Sequence, residues 1–141
     1  MPDLDRVIAE TARVLAPGGV YVYETINRTL ISKLFLIKAF QEWSWTRIMP
    51  PHLHDWRQFI TPHELLTILD RHGLEHRDLA GLRPTASLLR MVHVLRQCRR
   101  GAVTYAEAVR RMQLSRSRDT RLIYLGYAVR RGAGPAQPPE A

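Results

Sequence analysis

The sequence has one cysteine, Cys98, in 141 residues. An internal disulfide is therefore excluded, and the fold must rest on packing; the expected setting is a reducing, cytoplasmic one. Long apolar runs are also missing. Lys33, Lys38 and Glu42 interrupt the most hydrophobic stretch, so nothing approaches the ~18 uncharged residues that a membrane-spanning helix needs. The N-terminus carries Asp3 and Asp5 where a signal peptide would have basic residues followed by an apolar run. Acidic residues become scarce in the second half: residues 83–131 hold twelve arginines against only Glu107 and Asp119. Residues 1–82, with nine basic and ten acidic side chains, are close to neutral. The net charge of +8 thus belongs to the second half. Hydrophobic residues at 45% and charged residues at 24% exclude a wholly disordered or collagen-like chain, and a chain of this length buries roughly 70% of its unfolded surface.

Leu4, Val7, Ile8, Ala12 and Leu15 fall on one helical face, with Asp3 as N-cap and Pro17-Gly18-Gly19 as the stop. The run Val20 to Ile26 is β-branched and aromatic without a polar face until Glu24, which predicts a strand covered on both sides. The spacing then predicts a helix over 29–48, apolar nearly all round, closed by Pro50-Pro51. Thr61-Pro62-His63-Glu64 is a capping box opening a helix to about His72, and Gly73 stops it. His76 to Leu82 is a weaker strand candidate. Ala86 to Arg99 reads as an amphipathic basic helix, and Thr104-Tyr105-Ala106-Glu107 caps a short helix to about Leu114. Arg121 to Arg130 is apolar on both faces, as in a central strand. Residues 132–141, rich in Pro, Gly and Ala, read as a disordered tail.

Three segments carry a resemblance. Leu15-Ala16-Pro17-Gly18-Gly19 followed by a strand is a turn found in class I S-adenosylmethionine-dependent methyltransferases. Asn27-Arg28-Thr29 after that strand, and the block His54-Asp55-Trp56-Arg57-Gln58-Phe59-Ile60-Thr61-Pro62-His63-Glu64-Leu65, are more specific. With Leu125-Gly126-Tyr127-Ala128-Val129 as last strand, residues 2–131 resemble the C-terminal half of the ubiquinone-biosynthesis O-methyltransferases. The implied fold class is α/β: the C-terminal half of a Rossmann-like sheet, with strands resembling the fifth, sixth and seventh, flanking helices, and a basic helical insertion at about 83–118. The implied reaction is methyl transfer from S-adenosylmethionine to a phenolic or catechol-type, quinone-precursor-like acceptor. The Gly-rich loop and ribose-binding acid that hold the cofactor in that family are not in this sequence, so the chain reads as a fragment with no cofactor-binding residues of its own. By itself it is expected to be inactive.

Asn27 and Arg28 fall at the carboxyl end of a strand, where doubly wound folds place ligands; with Trp56 they are candidates for substrate binding. The alternative for the first two is a loop-capping asparagine and a solvated arginine. His54 and Asp55 are the catalytic candidates, since a near-neutral imidazole can take a catechol proton; equally, a His-Asp pair before a capping box fixes a loop. His52, His54 and Asp55 lack a convincing third metal ligand, so no metal is expected. Lys33, Lys38, Trp43 and Trp45 suit contact with a lipid surface, which the resemblance also implies, with a peripheral location on the inner membrane face; a lid helix buried over the active site is the other reading. Cys98 reads as a small core residue. The arginine-rich stretch is a solvated face or a site for anionic lipid. No nucleic-acid partner is expected, because no recognised motif is present and Tyr105, Tyr124 and Tyr127 form no stacking array. An apolar strand left at an open sheet edge would favour a homo-oligomer.

Overall fold

The computed structural model describes residues 3–50 and 52–132. The tail assigned to residues 132–141 therefore lies outside the described residues except for Gly132. The elements, in chain order, are helix α1 (Leu4–Val14), strand β1 (Val20–Ile26), a single turn α2 (Leu30–Ser32) running into a π-helix (Lys33–Glu42), a 3-10 turn (Trp56–Gln58), α3 (Pro62–Arg71), β2 (Leu74–Pro84), α4 (Leu88–Arg99), α5 (Tyr105–Met112), β3 (Leu114–Ser117) and β4 (Ile123–Arg130). The fold is α/β, with a four-stranded sheet in the order β1-β4-β2-β3. Backbone bonds from Gly18 to Arg130 and from Asn27 to Leu122 set β4 antiparallel to β1, and Arg131 to Gly73 sets it antiparallel to β2. β3 pairs antiparallel with β2, from Gly81 opposite Ser117 to Pro84 opposite Leu114. The basic segment is thus not wholly helical. Its last residues form an edge strand, paired with β2 across the intervening α4 and α5, that the sequence pattern hid, because Leu114-Ser115-Arg116-Ser117 shows too few apolar residues to alternate.

The chain divides into two compact units, one from the described parts of residues 1–23, 63–79 and 126–141, the other from residues 24–62 and 80–125. In the first, Asp3 caps α1 by accepting from Asp5 N–H at 3.1 Å, and Ile8, Ala12, Leu65, Leu69, Leu74 and Ala128 are buried. Asp5 faces His72 at 3.2 Å and Arg71 at 2.7 Å, and the histidine first, then the guanidinium, hold its carboxyl below the usual range. Gly18, at φ +76°, makes the turn into β1, and a Cβ on Gly19 would stand 2.8 Å from the Ala16 carbonyl oxygen. Along β1 burial alternates: Tyr23 is buried, while Val20 and Val22 are 55% and 69% exposed. The expectation of a strand covered on both sides is corrected here. One face of β1 is open, and β1 is also the last strand in the order, so among the described residues its far backbone edge has no strand partner.

The second unit holds the larger core: Leu36, Ile37, Phe40, Phe59, Met91, Val94, Leu95, Ala108 and Met112. α4 meets this core through Met91, Val94 and Leu95 and leaves Arg90, His93, Arg96 and Arg99 outside. Its cap is Ser87, accepting from Arg90 N–H; Thr104 caps α5 by accepting from Glu107 N–H at 3.2 Å. Cys98 packs against the core, and burial pushes its thiol up, which suits a packing residue. Gly81 allows a close approach of chains, since a Cβ would meet the Asp119 carbonyl oxygen at 1.8 Å.

Candidate functional site

The site begins with the way the second helix is wound. Thr29 caps it reciprocally: its Oγ accepts from Ser32 N–H, and Ser32 Oγ accepts from Thr29 N–H, both at 3.1 Å. The following residues adopt π winding, and the helix ends at Glu42 rather than Ile48. Its last turn is closed by Trp43 N–H donating to Lys38 C=O, an i to i+5 bond, at 2.8 Å. The chain then folds back on itself. Ile48 and Met49 N–H both donate to Phe40 C=O, and the buried Thr46 hydroxyl donates to Ala39 C=O at 2.7 Å. This reversal brings residues 52–58 alongside the π-helix and makes a polar cavity of about 700 Å³, lined by Lys33, Ile37, Gln41, Glu42, Arg47, His52, His54, Asp55, Trp56, Arg57 and Gln58.

Gln41, 2% exposed, organises the cavity. Its Nε2 donates to His54 C=O at 3.1 Å, and its Oε1 accepts from His54 N–H at 2.6 Å. These two backbone bonds fix the amide orientation, because a carbonyl cannot donate and an N–H cannot accept. Oε1 also lies 3.1 Å from His54 Nδ1. Since that oxygen can only accept, Nδ1 carries the proton, and Nε2 of the neutral ring is the basic nitrogen. Phe59 meets the imidazole edge-on at 6.3 Å. Gln41 was missed by sequence reasoning. Its signal was a lone amide one turn from Ile37 on the buried face of an apolar helix.

Asp55 turns its carboxylate to Arg57 N–H at 2.9 Å and caps the 3-10 turn, the loop-fixing alternative of the two read from sequence. Trp56 donates its indole N–H to Thr29 C=O at 3.0 Å, and the Lys33 ammonium sits 4.9 Å over its ring. Asn27 and Arg28 do not line the cavity. The buried Asn27 side chain donates to Thr120 C=O at 2.9 Å, and its backbone N–H donates to Leu122 C=O, so it ties the end of β1 to the loop before β4. The four residues read as one lipid-facing set separate. Lys33 is in the polar cavity and Lys38 pairs with Glu42. Trp43 and Trp45, stacked at 5.6 Å, line a second cavity of about 250 Å³, apolar throughout, with Leu34, Phe35, Leu88, Met91 and Leu95.

Comparison with known proteins bears on a part of the chain. Over 82 residues it is homologous to ubiquinone biosynthesis O-methyltransferases. The relative from Aliivibrio fischeri is 37% identical over those 82 residues, which are 58% of this chain and 34% of the relative. The Vibrio cholerae protein is 35% identical and the Marinobacter nauticus protein 38%, each over 82 residues that make up 33% and 34% of those proteins. The chain therefore spans about a third of the length of the curated relatives it matches. No family model and no solved structure matches it. The relation to methyltransferases stands on the shared 82 residues.

S-adenosylmethionine is the cofactor that this similarity brings into question. A cradle for it needs free backbone amides, but Gly18 N–H donates to Arg130 C=O and Gly19 N–H to Ala16 C=O. The glycine turn is a helix-to-strand connector, and these residues do not fit the group. Among the described residues no helix is long and apolar enough to cross a membrane.

Proposed function

We propose that this chain carries the acceptor-binding part of an S-adenosylmethionine-dependent O-methyltransferase acting on a phenolic, catechol-type substrate. The similarity to ubiquinone biosynthesis O-methyltransferases supports the reaction class. The placement of β1 beside β4 supports the fold-level reading, a C-terminal half of a Rossmann-like sheet, since the family sets its fifth strand beside its seventh. The single observation that carries the chemistry is the Gln41–His54 network. A phenol must lose its proton to become a competent nucleophile, and His54 Nε2 is the basic nitrogen of a ring whose other nitrogen is already committed to Gln41. When Nε2 takes the proton, Gln41 Oε1 continues to accept from Nδ1, so the imidazolium forms without reorganisation. Trp56 supplies an aromatic wall, and Asp55 holds the turn that positions it.

The test is imidazole nitrogen NMR on the full chain. His54 is expected as the Nδ1–H tautomer. Catechol should perturb both the His54 ring and the Trp56 indole N–H, and Gln41→Leu should remove the tautomer preference. Catechol leaving both rings unmoved would sink the reading.

A second reading, a basic module on an anionic lipid surface, is favoured by one observation. Trp45, Leu34 and Leu88 are exposed around the apolar cavity, with Arg90, Arg96 and Arg99 on the outer face of α4. Each basic side chain near such a surface contributes about 1 kcal/mol. Anionic vesicles should then shift tryptophan emission to the blue where neutral vesicles do not, and equal behaviour with both would exclude it.

A further inference from the structure

The π winding of residues 33–42 has a local cause outside the polar cavity. Its last bond runs from Trp43 N–H to Lys38 C=O, whereas α winding would bring that N–H to Ala39 C=O. Ala39 C=O is instead taken by the Thr46 hydroxyl, at 2.7 Å. The next carbonyl, on Phe40, would accept from Ser44 N–H in an α-helix and here accepts from Ile48 and Met49 N–H. The chain that folds back after Glu42 thus occupies the two acceptors that an α-helix would use for its own closing turn. Thr46 is the side chain in this exchange. It is 1% exposed and stands with Leu34, Phe35, Trp43, Trp45 and Leu95 in the wall of the apolar cavity. A hydroxyl without a partner would be costly in such surroundings, and water does not compete there for the bond it makes.

Winding in turn decides where Gln41 points. The near end of the helix is held by the reciprocal Thr29 and Ser32 cap, and Gln41 lies in the far turn. Rewinding to about 3.6 residues per turn would therefore carry the Gln41 side chain around the helix axis, away from His54. We infer that Thr46 is a positioning residue for His54: by holding Ala39 C=O its hydroxyl keeps residues 33–42 in π winding, and so keeps Gln41 Oε1 against His54 Nδ1. Thr46 is not among the residues lining the polar cavity and acts through the backbone and Gln41. Its consequence for an acceptor proton rests on the reading of His54 above.

The experiment uses Thr46→Val, which keeps the branched shape without the hydroxyl, and Thr46→Ser, which keeps the hydroxyl, both in the full chain. Imidazole nitrogen NMR reads the His54 tautomer, hydrogen exchange reads the Ile48 and Met49 amides, and circular dichroism checks folding. In Thr46→Val the Nδ1–H preference should be lost, and the two amides should exchange at least about tenfold faster. Thr46→Ser should restore the parent tautomer. A Thr46→Val protein that keeps the parent tautomer would overturn the inference, as would a Thr46→Ser protein that loses it. Should Thr46→Val not fold, couplings across the hydrogen bonds of the parent decide. Trp43 N–H coupled to Lys38 C=O upholds the inference, and Trp43 N–H coupled to Ala39 C=O overturns it. Catechol added to the parent separates this inference from the reading beneath it. A tautomer lost in Thr46→Val, with the parent ring unmoved by catechol, would uphold the positioning role and remove the acceptor reading. A tautomer kept in Thr46→Val, with the parent ring moved by catechol, would do the reverse.

Discussion

The Tyr23 hydroxyl lies 2.9 Å from Nδ1 of His76, although β4 separates the strands that carry the two residues. Gly126 on β4 is the reason. A Cβ there would stand 2.6 Å from the Tyr23 hydroxyl and 2.4 Å from the Asp78 carbonyl oxygen, so only a residue without a side chain lets the ring cross the central strand.

Gly126→Ala is therefore expected to destabilise the protein by about 1–3 kcal/mol, through overpacking against a backbone oxygen that cannot move aside. Urea denaturation of the variant against the parent checks this. A change within error would show that the crossing is loose.

The same tyrosine sets an alkaline limit. Burial first, then the nearby Asp78 and Tyr21, push its phenol up to about 12. A folded-state value above the unfolded one means that the folded protein holds a proton the unfolded chain releases, so stability falls as pH rises from about 10 to about 12. The melting temperature should drop across that window in the parent and drop less in Tyr23→Phe.

At the acid end, the Arg121 guanidinium and backbone N–H beside Asp119 hold its carboxyl down at about 2. This contribution is present above the ordinary carboxylate range and is lost as pH falls toward 2. The pair is largely solvent-facing, so Asp119→Asn should cost less than about 1 kcal/mol at neutral pH. The difference from the parent should shrink toward pH 2 in denaturant midpoints measured at each pH.

On the open face of β1, Val22→Lys should leave the fold intact and reduce self-association. A lysine on an exposed edge strand opposes pairing with a second chain. Light scattering at tens of micromolar reads the outcome. A parent that is monodisperse and monomeric would show that the edge does not associate.

In the core of the second unit, Leu95→Ala removes a buried side chain from the cluster around Phe40 and Met112 and should cost about 2–5 kcal/mol. Calorimetry on the variant gives the value, and a cost below 1 kcal/mol would mean that the cluster collapses around the gap.

The sequence by itself determined the elements whose information is local. α1, β1, α3 and α5 stand within a residue or two of where capping residues, glycine stops and apolar spacing put them, because a cap or a turn depends on a few neighbouring side chains. α4 starts at Leu88 rather than Ala86, since Ser87 takes the cap. β2 runs from Leu74 to Pro84, two residues past the His76 to Leu82 segment at each end, because its ends are held by pairing with distant residues. The resemblance to methyltransferases was likewise legible in short motifs, and His54 and Trp56 were named from them. Tertiary structure alone decided the rest. The π winding, the reversal after Glu42 and the burial of Gln41 depend on Phe40 and Ala39 carbonyls meeting residues seven to nine positions on, which no helical periodicity encodes. Asn27 was drawn away from the cavity by Thr120, 93 residues along the chain. Likewise the grouping of Lys33 with Arg47 and Arg57, apart from Lys38, followed from which way the chain folded back. Charges along a sequence are counted by type, but the field in a cavity depends on which of them share a wall.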